Sequence, residues 1–227
     1  MDKKLSTWIN PKWYKLYCEN KLRENVQNMN PYEHAVLDGF LKDEAFDCLK
    51  DSLSSTYIIK NQSRAGLSEG RRINWHVVRK ENVLRFLFSK DFAQFVSMLS
   101  GQKTQLKEGM LPQITEFLPG SSGFSLHNDA SETFDFIFLL YIENKTPSKP
   151  SNGAFCIHDN DGRLVQEIDP VPNRLIVFKV GADSYHSVND IGQNQTRSNL
   201  SLDWVLPEST RAKKRMFVKS QNETRIS

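Results

Sequence analysis

The sequence predicts a mainly β fold with flanking helices: a jelly roll of two antiparallel sheets in the C-terminal half, with N-terminal helices packed on one sheet. Three observations carry this. Residues 111–206 break into eight short runs of strand-like composition separated by turn chemistry. One of them, FDFIFLLYIE (134–143), is apolar at nearly every position and so needs cover on both faces. The first 110 residues instead show apolar side chains mainly at helical spacing, which supplies the outer layer.

Taken in order, Asn10 followed by Pro11 is a helix start, with Asn as N-cap and Pro at the first helical position. Trp13, Leu16 and Tyr17 continue that helix, which is expected to run to about Gln27–Asn30. YEHAVLDGF (32–40) reads as an early strand. A second helix follows, with Asp43 as candidate cap and Phe46, Leu49 and Leu53 on one face. Phe92, Phe95, Val96 and Leu99 repeat the pattern before Gly101, a natural helix stop. Residues 60–82, rich in Ser, Gly and Arg, read as a surface loop. Strands are then expected near 113–118, 124–129, 134–143, 153–158, 163–168, 174–180, 184–189 and 196–206. Pro119-Gly120, Asn152-Gly153, Asp161-Gly162 and Pro170 to Asn173 form turns between them. The whole reads as one domain: helical support with an early strand over 1–110, the β core over 111–206, and a polar tail over 207–227.

Composition excludes more than it identifies. Thirty basic and twenty-seven acidic residues leave a formal charge of +3, too small and too evenly spread to predict a nucleic-acid partner. The tail segment RAKKR (211–215) reads as a solvated terminus. Cys18, Cys48 and Cys156 are odd in number and far apart, with no C-x-x-C, which argues against a disulfide framework or a thiolate zinc site and favours a reducing, cytoplasmic setting. The N-terminus has no apolar signal-like core, and no apolar run is long enough to cross a bilayer, so no membrane association is expected.

The chemistry-bearing residues are concentrated in the β half. His127 and Asp129 form a His-x-Asp pair at the end of a predicted strand, where alternate residues share a face; His186 is a distant second imidazole. Two neutral imidazoles and one carboxylate can cap one face of Fe(II) and leave three coordination positions open. Arg197, eleven residues beyond His186, offers a guanidinium fork able to bind a carboxylate bidentately. Taken singly, each residue has a plainer reading: a hydrogen-bonded structural histidine, or a surface Arg in an ion pair.

The ordered set FLPGSSGFSLHND, FLLYIEN, NGAFCIHD, PVPNRLIVFKVGADSYHSV and TRSNLSLDW resembles the 2-oxoglutarate and Fe(II)-dependent oxygenases of the prolyl hydroxylase superfamily. NRLIVFKVGADSYHSV and the early YEHAVLDGFL look most like the compact catalytic domains of ribosomal-protein prolyl hydroxylases. The resemblance spans roughly residues 30–206 and implies a double-stranded β-helix core. It implies His127, Asp129 and His186 as iron ligands and Arg197 as partner of the distal carboxylate of 2-oxoglutarate. Tyr141 would add its hydroxyl to that carboxylate, and Asn199, where many relatives carry Ser, would stand beside Arg197. Glu143 occupies the place of the family's Asn in Tyr-x-Asn. The implied activity is oxidative decarboxylation of 2-oxoglutarate coupled to hydroxylation of an unactivated C–H bond by molecular oxygen, with ascorbate as a candidate stimulant. Asp129 favours hydroxylation, because halogenating relatives lack that carboxylate.

The first substrate indicated is a prolyl residue of a protein. A free amino acid or small metabolite under the same chemistry, and a non-catalytic jelly-roll binding module, remain as alternatives. Two His and one carboxylate also serve zinc hydrolases, but that reading leaves Arg197 and Tyr141 unexplained. His158 reads as a surface residue, and His34 and His76 have no partners legible in sequence. Arg71, Arg72 and Trp75 are candidates for a substrate mouth.

Overall fold

The computed structural model describes residues 5–54, 58–61, 68–73, 78, 81–107, 111–145 and 152–209. The helices α1 (Leu5–Trp8), α2 (Pro11–Cys18), α3 (Leu22–Val26), α4 (Asp43–Ser54), α5 (Asn82–Leu87) and α6 (Lys90–Ser100) all precede the β core. The early strands are β1 (Gln27–Asn28), β2 (His34–Leu37), β3 (Ile58–Asn61), β4 (Ser68–Ile73) and β5 (Gln105–Leu106). The core strands are β6 (Gln113–Phe117), β7 (Phe124–His127), β8 (Phe136–Lys145), β9 (Phe155–His158), β10 (Leu164–Ile168), β11 (Leu175–Lys179), β12 (His186–Val188) and β13 (Thr196–Val205).

These eight core strands divide into two antiparallel sheets. The larger runs β1-β2-β11-β8-β13-β6-β4-β3, with β5 paired to β13; the smaller runs β10-β9-β12-β7. Side-chain alternation splits the larger sheet between two cores. On β8, Phe136, Phe138 and Leu140 join the helical core; Ile137 and Tyr141 join the core between the sheets. On β11, Leu175 and Val177 face the helices and Ile176 and Phe178 face inward. On β13, Leu200, Leu202 and Trp204 pack on the helices, and the alternate residues Arg197, Asn199, Ser201 and Asp203 line an inner cavity. The strand that looked apolar on both faces is therefore covered on both, as its composition required.

Phe92 on α6 is the hub of the helix–sheet junction. It is fully buried, with ring centroids 5.3 Å from Phe86, 5.4 Å from Phe138, 5.8 Å from Trp204 and 6.0 Å from both Phe40 and Phe95. Phe92→Ala should cost about 3–5 kcal/mol, read as a lower urea midpoint at unchanged m-value. A loss under about 1 kcal/mol would mean that the helices can close the cavity.

Several local expectations change. The Asn10 cap forms, its side chain accepting from the Lys12 backbone N–H, but the helix ends at Cys18. Asn20 turns left-handed at φ 56, and a separate α3 follows, so one long helix is replaced by two short ones. Asp43 is the first residue of α4 rather than its cap; there its negative charge suits the positive helix end. The described parts of 60–82 include β4, whose residues 68–72 pair with β6, and β3 pairs with β4 in turn. This segment extends the sheet, so reading it as a surface loop was incorrect there. The polar composition of β4, SEGRRI, hid a strand whose backbone forms a ladder with β6. Arg71 and Arg72 lie on β4; Trp75, His76 and the basic run 211–215 lie outside the described residues. Cys18, Cys48 and Cys156 are free thiols. Among the described residues no helix is long and apolar enough to cross a membrane.

Candidate metal centre and carboxylate pocket

The antiparallel register of the smaller sheet sets His127 at the end of β7 directly opposite His186 at the start of β12. Their ring centroids are 4.3 Å apart. Asp129 reaches the same point by a different route from the one the spacing suggested. β7 ends at His127, so strand alternation does not orient the carboxylate. The Asn128 side chain accepts from the Ala130 N–H at 3.2 Å, making a short turn, and donates to the Ala182 carbonyl at 3.2 Å. That ties the His127–Asp129 corner to the loop leading into His186. The ligand atoms of His127, Asp129 and His186 all lie within 4.8 Å of one another.

Both imidazoles are oriented by backbone. Nδ1 of His127 faces the Ser125 carbonyl at 2.7 Å, and Nδ1 of His186 faces the Ser184 carbonyl at 2.8 Å. A carbonyl can only accept, so each Nδ1 carries the proton and each Nε2 presents a lone pair. Burial, then the neighbouring His127, holds His186 down to a pKa of about 4. Its Nε2 lies 3.5 Å from Asp129 Oδ2. With His186 neutral near pH 7 this contact is not an ion pair: two electron-pair donors face a common point, as a cation site requires. Phe155 stacks on His186 at 5.2 Å and Phe178 meets it edge-on at 5.0 Å, giving the site an apolar rear wall.

Arg197 enters the same cavity from the opposite sheet. The cavity, of about 260 Å³, is lined by His127, Asp129, His186, Arg197 and Asn199 together with aromatic residues from both sheets. Arg197 is only 2% exposed, and among the described residues no carboxylate forms an ion pair with it. Its guanidinium carbon lies 4.3 Å from the Phe117 ring centre and 5.0 Å from that of Tyr141. The hydrogen bonds it makes are long: Nη1 to Asn199 Oδ1 at 3.5 Å and Nη2 to the Tyr141 hydroxyl at 3.4 Å. Among the described residues its Nε has no partner. Burying a cation on aromatic faces alone offsets only part of its desolvation, so the pocket suits an incoming carboxylate. Tyr141 is fully buried behind the guanidinium, and burial raises its pKa although Arg197 pulls the other way. Its phenol therefore keeps a proton.

A bulge revises the reading of Glu143. Asn199 pairs with Tyr141, Ser198 with Glu143 and Arg197 with Asn144, so one extra β8 residue is accommodated at Ile142. Directly paired residues share a face. Asn144, not Glu143, thus joins the row of Arg197, while Glu143 forms an ion pair with the exposed Lys145. Sequence spacing counts residues and cannot see a bulge.

His158 is half-buried, not a free surface residue, bridging the Gly162 carbonyl and the Ser187 hydroxyl. His34 is buried between the Tyr32 carbonyl and Gln166 of β10. Neither joins the cluster. The residues the sequence did not reveal are the ones that aim others: Asn128 and the carbonyls of Ser125 and Ser184. Backbone carbonyls leave no residue-type signal. An Asn inside His-x-Asp was visible but gave no reason to expect a bond across to Ala182.

Comparison with known proteins bears on what this arrangement is. Residues 112–202 match the family model of the 2OG-Fe(II) oxygenase superfamily. Over those residues the β core is similar to the 2OG-Fe(II) oxygenases. The prolyl 3-hydroxylase OGFOD1 of Mus musculus is 25% identical over 184 residues, covering 77% of this chain and 32% of that protein. The chain thus spans about a third of the length of this curated relative. Among solved structures, a Trichoplax adhaerens prolyl hydroxylase in complex with a hypoxia inducible factor peptide fragment aligns at a TM-score of 0.67. It shares 20% identity and covers 89% of this chain and 96% of its own. HygX of Streptomyces hygroscopicus, with nickel and 2-oxoglutarate bound, aligns at 0.59 with 9% identity and 89% coverage of each chain. At these identities the structural likeness shows the shared oxygenase fold. The chain is prolyl-hydroxylase-like.

Proposed function

We propose that this oxygenase domain is an active 2-oxoglutarate and Fe(II)-dependent hydroxylase whose substrate is a prolyl residue of a protein. The observation that carries the reading is Arg197, a buried guanidinium with an unpartnered Nε on the wall of the cavity that also holds the His127–Asp129–His186 donor set. A zinc hydrolase or a bare metal site gives that cation nothing to do. The single domain proposed for the chain consists of the helical support, the β core that contains the whole donor set, and the polar tail.

In this reading His127, Asp129 and His186 hold Fe(II), and Arg197, Asn199 and Tyr141 receive the distal carboxylate of 2-oxoglutarate. The donor types fit, since two neutral imidazoles and one carboxylate leave iron with open positions for cosubstrate and oxygen. Bound iron supplies the redox chemistry that couples decarboxylation of 2-oxoglutarate to insertion of one oxygen atom of dioxygen into a C–H bond. The chain supplies placement and shelter. The Ser125 and Ser184 carbonyls fix both imidazole tautomers, Phe155 and Phe178 keep water from the rear, and the Tyr141 phenol donates toward the carboxylate that Arg197 neutralises. A protein substrate is supported by the likeness to a prolyl 3-hydroxylase and to a prolyl hydroxylase bound to a peptide fragment.

The test is succinate formation from 2-oxoglutarate with Fe(II) and ascorbate under air, wild type against His127→Ala, with and without proline-containing polypeptides. Iron-dependent turnover that is absent from the variant and increased by a polypeptide is expected. Turnover increased only by free amino acids would move the substrate to small metabolites. If neither iron nor 2-oxoglutarate binds, the domain is a non-catalytic module.

A further inference from the structure

We propose that Gln195 is a positioning residue for the cosubstrate pocket: it holds the Asn152-Gly153 turn and the end of β8 against Arg197, and through Arg197 sets the affinity for the distal carboxylate. This rests on the assignment of Arg197 as the carboxylate partner.

Gln195 lies two residues before Arg197 and is fully buried. Its amide joins three chain segments. Nε2 donates to Asn144 Oδ1 at 2.6 Å and to the Asn152 carbonyl at 3.0 Å, and Oε1 accepts from the Gly192 N–H at 2.7 Å. The orientation of the amide is fixed by its partners, because the Asn152 carbonyl can only accept and the Gly192 N–H can only donate. Asn144 is the residue that the β8 bulge turns into the row of Arg197, its direct partner in register. Gly153 follows Asn152 at φ 70, and a methyl group there would sit 2.7 Å from Cδ of Arg197. The backbone of this turn is thus one wall of the slot that holds the Arg197 stem, with the Phe117 and Tyr141 rings beside the guanidinium.

The slot matters because Arg197 makes only long hydrogen bonds to protein, so its direction is set by what encloses it. Loss of the Gln195 amide removes one hydrogen bond from each of three buried or half-buried polar groups. The Asn152-Gly153 turn then loses its tether to β8, although the Gly153 N–H still donates to Asp190. An Arg free to sample other directions must be reordered when a carboxylate arrives, and affinity falls by that cost. Ligands that touch only the metal should be indifferent to it.

The experiment is equilibrium titration of the Mn(II)-loaded full chain with 2-oxoglutarate and with oxalate, which chelates metal but has no distal carboxylate. Wild type is compared with Gln195→Met, Asn144→Ala and Arg197→Ala. Gln195→Met keeps side-chain length and removes all three hydrogen bonds; Asn144→Ala removes one at a half-exposed strand end. The expected result is 2-oxoglutarate binding weakened about three- to tenfold in both, with oxalate binding unchanged. Unchanged 2-oxoglutarate binding in the folded variants overturns the proposal, as does equal weakening of both ligands, which would show general loosening. Should Gln195→Met not fold by circular dichroism, Asn144→Ala decides by the same criteria. Arg197→Ala separates the two levels: if it binds 2-oxoglutarate as wild type does, the carboxylate assignment fails and this inference fails with it.

Discussion

Arg197→Ala should leave metal retention intact and raise the 2-oxoglutarate concentration for half-maximal binding about 100-fold or more. Truncating one member of a buried, hydrogen-bonded charge pair costs several kcal/mol, much of it from leaving the other charge unpaired in a low-dielectric pocket. Here the charge left unpaired would be the ligand carboxylate. Arg197→Lys should recover little of the loss, because an ammonium on a flexible stem cannot reproduce a planar fork held between the Phe117 and Tyr141 rings. Equilibrium titration of the Mn(II)-loaded protein checks this, and metal content after desalting serves as the control. Affinity unchanged within twofold would remove Arg197 from the carboxylate site and reopen the non-catalytic reading.

Asp129→Ala should abolish turnover and reduce metal affinity by more than the roughly 10- to 100-fold that loss of an outer hydrogen-bond partner costs at metal sites. The carboxylate is the only anion of the donor set, and His186 and His127 bring no charge to offset a divalent cation. His127→Ala should behave alike. Both positions are half-buried and polar, so the folded state should survive, and the two effects should appear as lost metal at unchanged circular dichroism. Iron retained stoichiometrically by Asp129→Ala after desalting would place the metal elsewhere.

Much of the architecture was legible because burial leaves a period. The helical spacing of Phe92, Phe95, Val96 and Leu99, the stop at Gly101 and the doubly apolar 134–142 stretch each have one low-energy reading. β4 was missed because its composition, SEGRRI, is polar. Its ladder with β6 is made by backbone groups, which are the same whatever the side chain. Asn20 was missed because a single left-handed residue ends a helix without disturbing the apolar pattern on either side.

By itself, the sequence determined the kinds of chemistry present: two imidazoles, a carboxylate and a late guanidinium, ordered along a chain whose alternation demands two stacked sheets. Residue type carries donor identity, and local periodicity carries strand and helix. Tertiary structure alone decided how those groups meet. The His127–His186 register, the Asn128 tie to Ala182, the bulge that pairs Asn144 with Arg197 and the Gln195 amide on Asn144 and Asn152 all join residues far apart in sequence. Such contacts are fixed by the balance of packing and hydrogen bonding over the whole domain, a property that no short window of sequence contains.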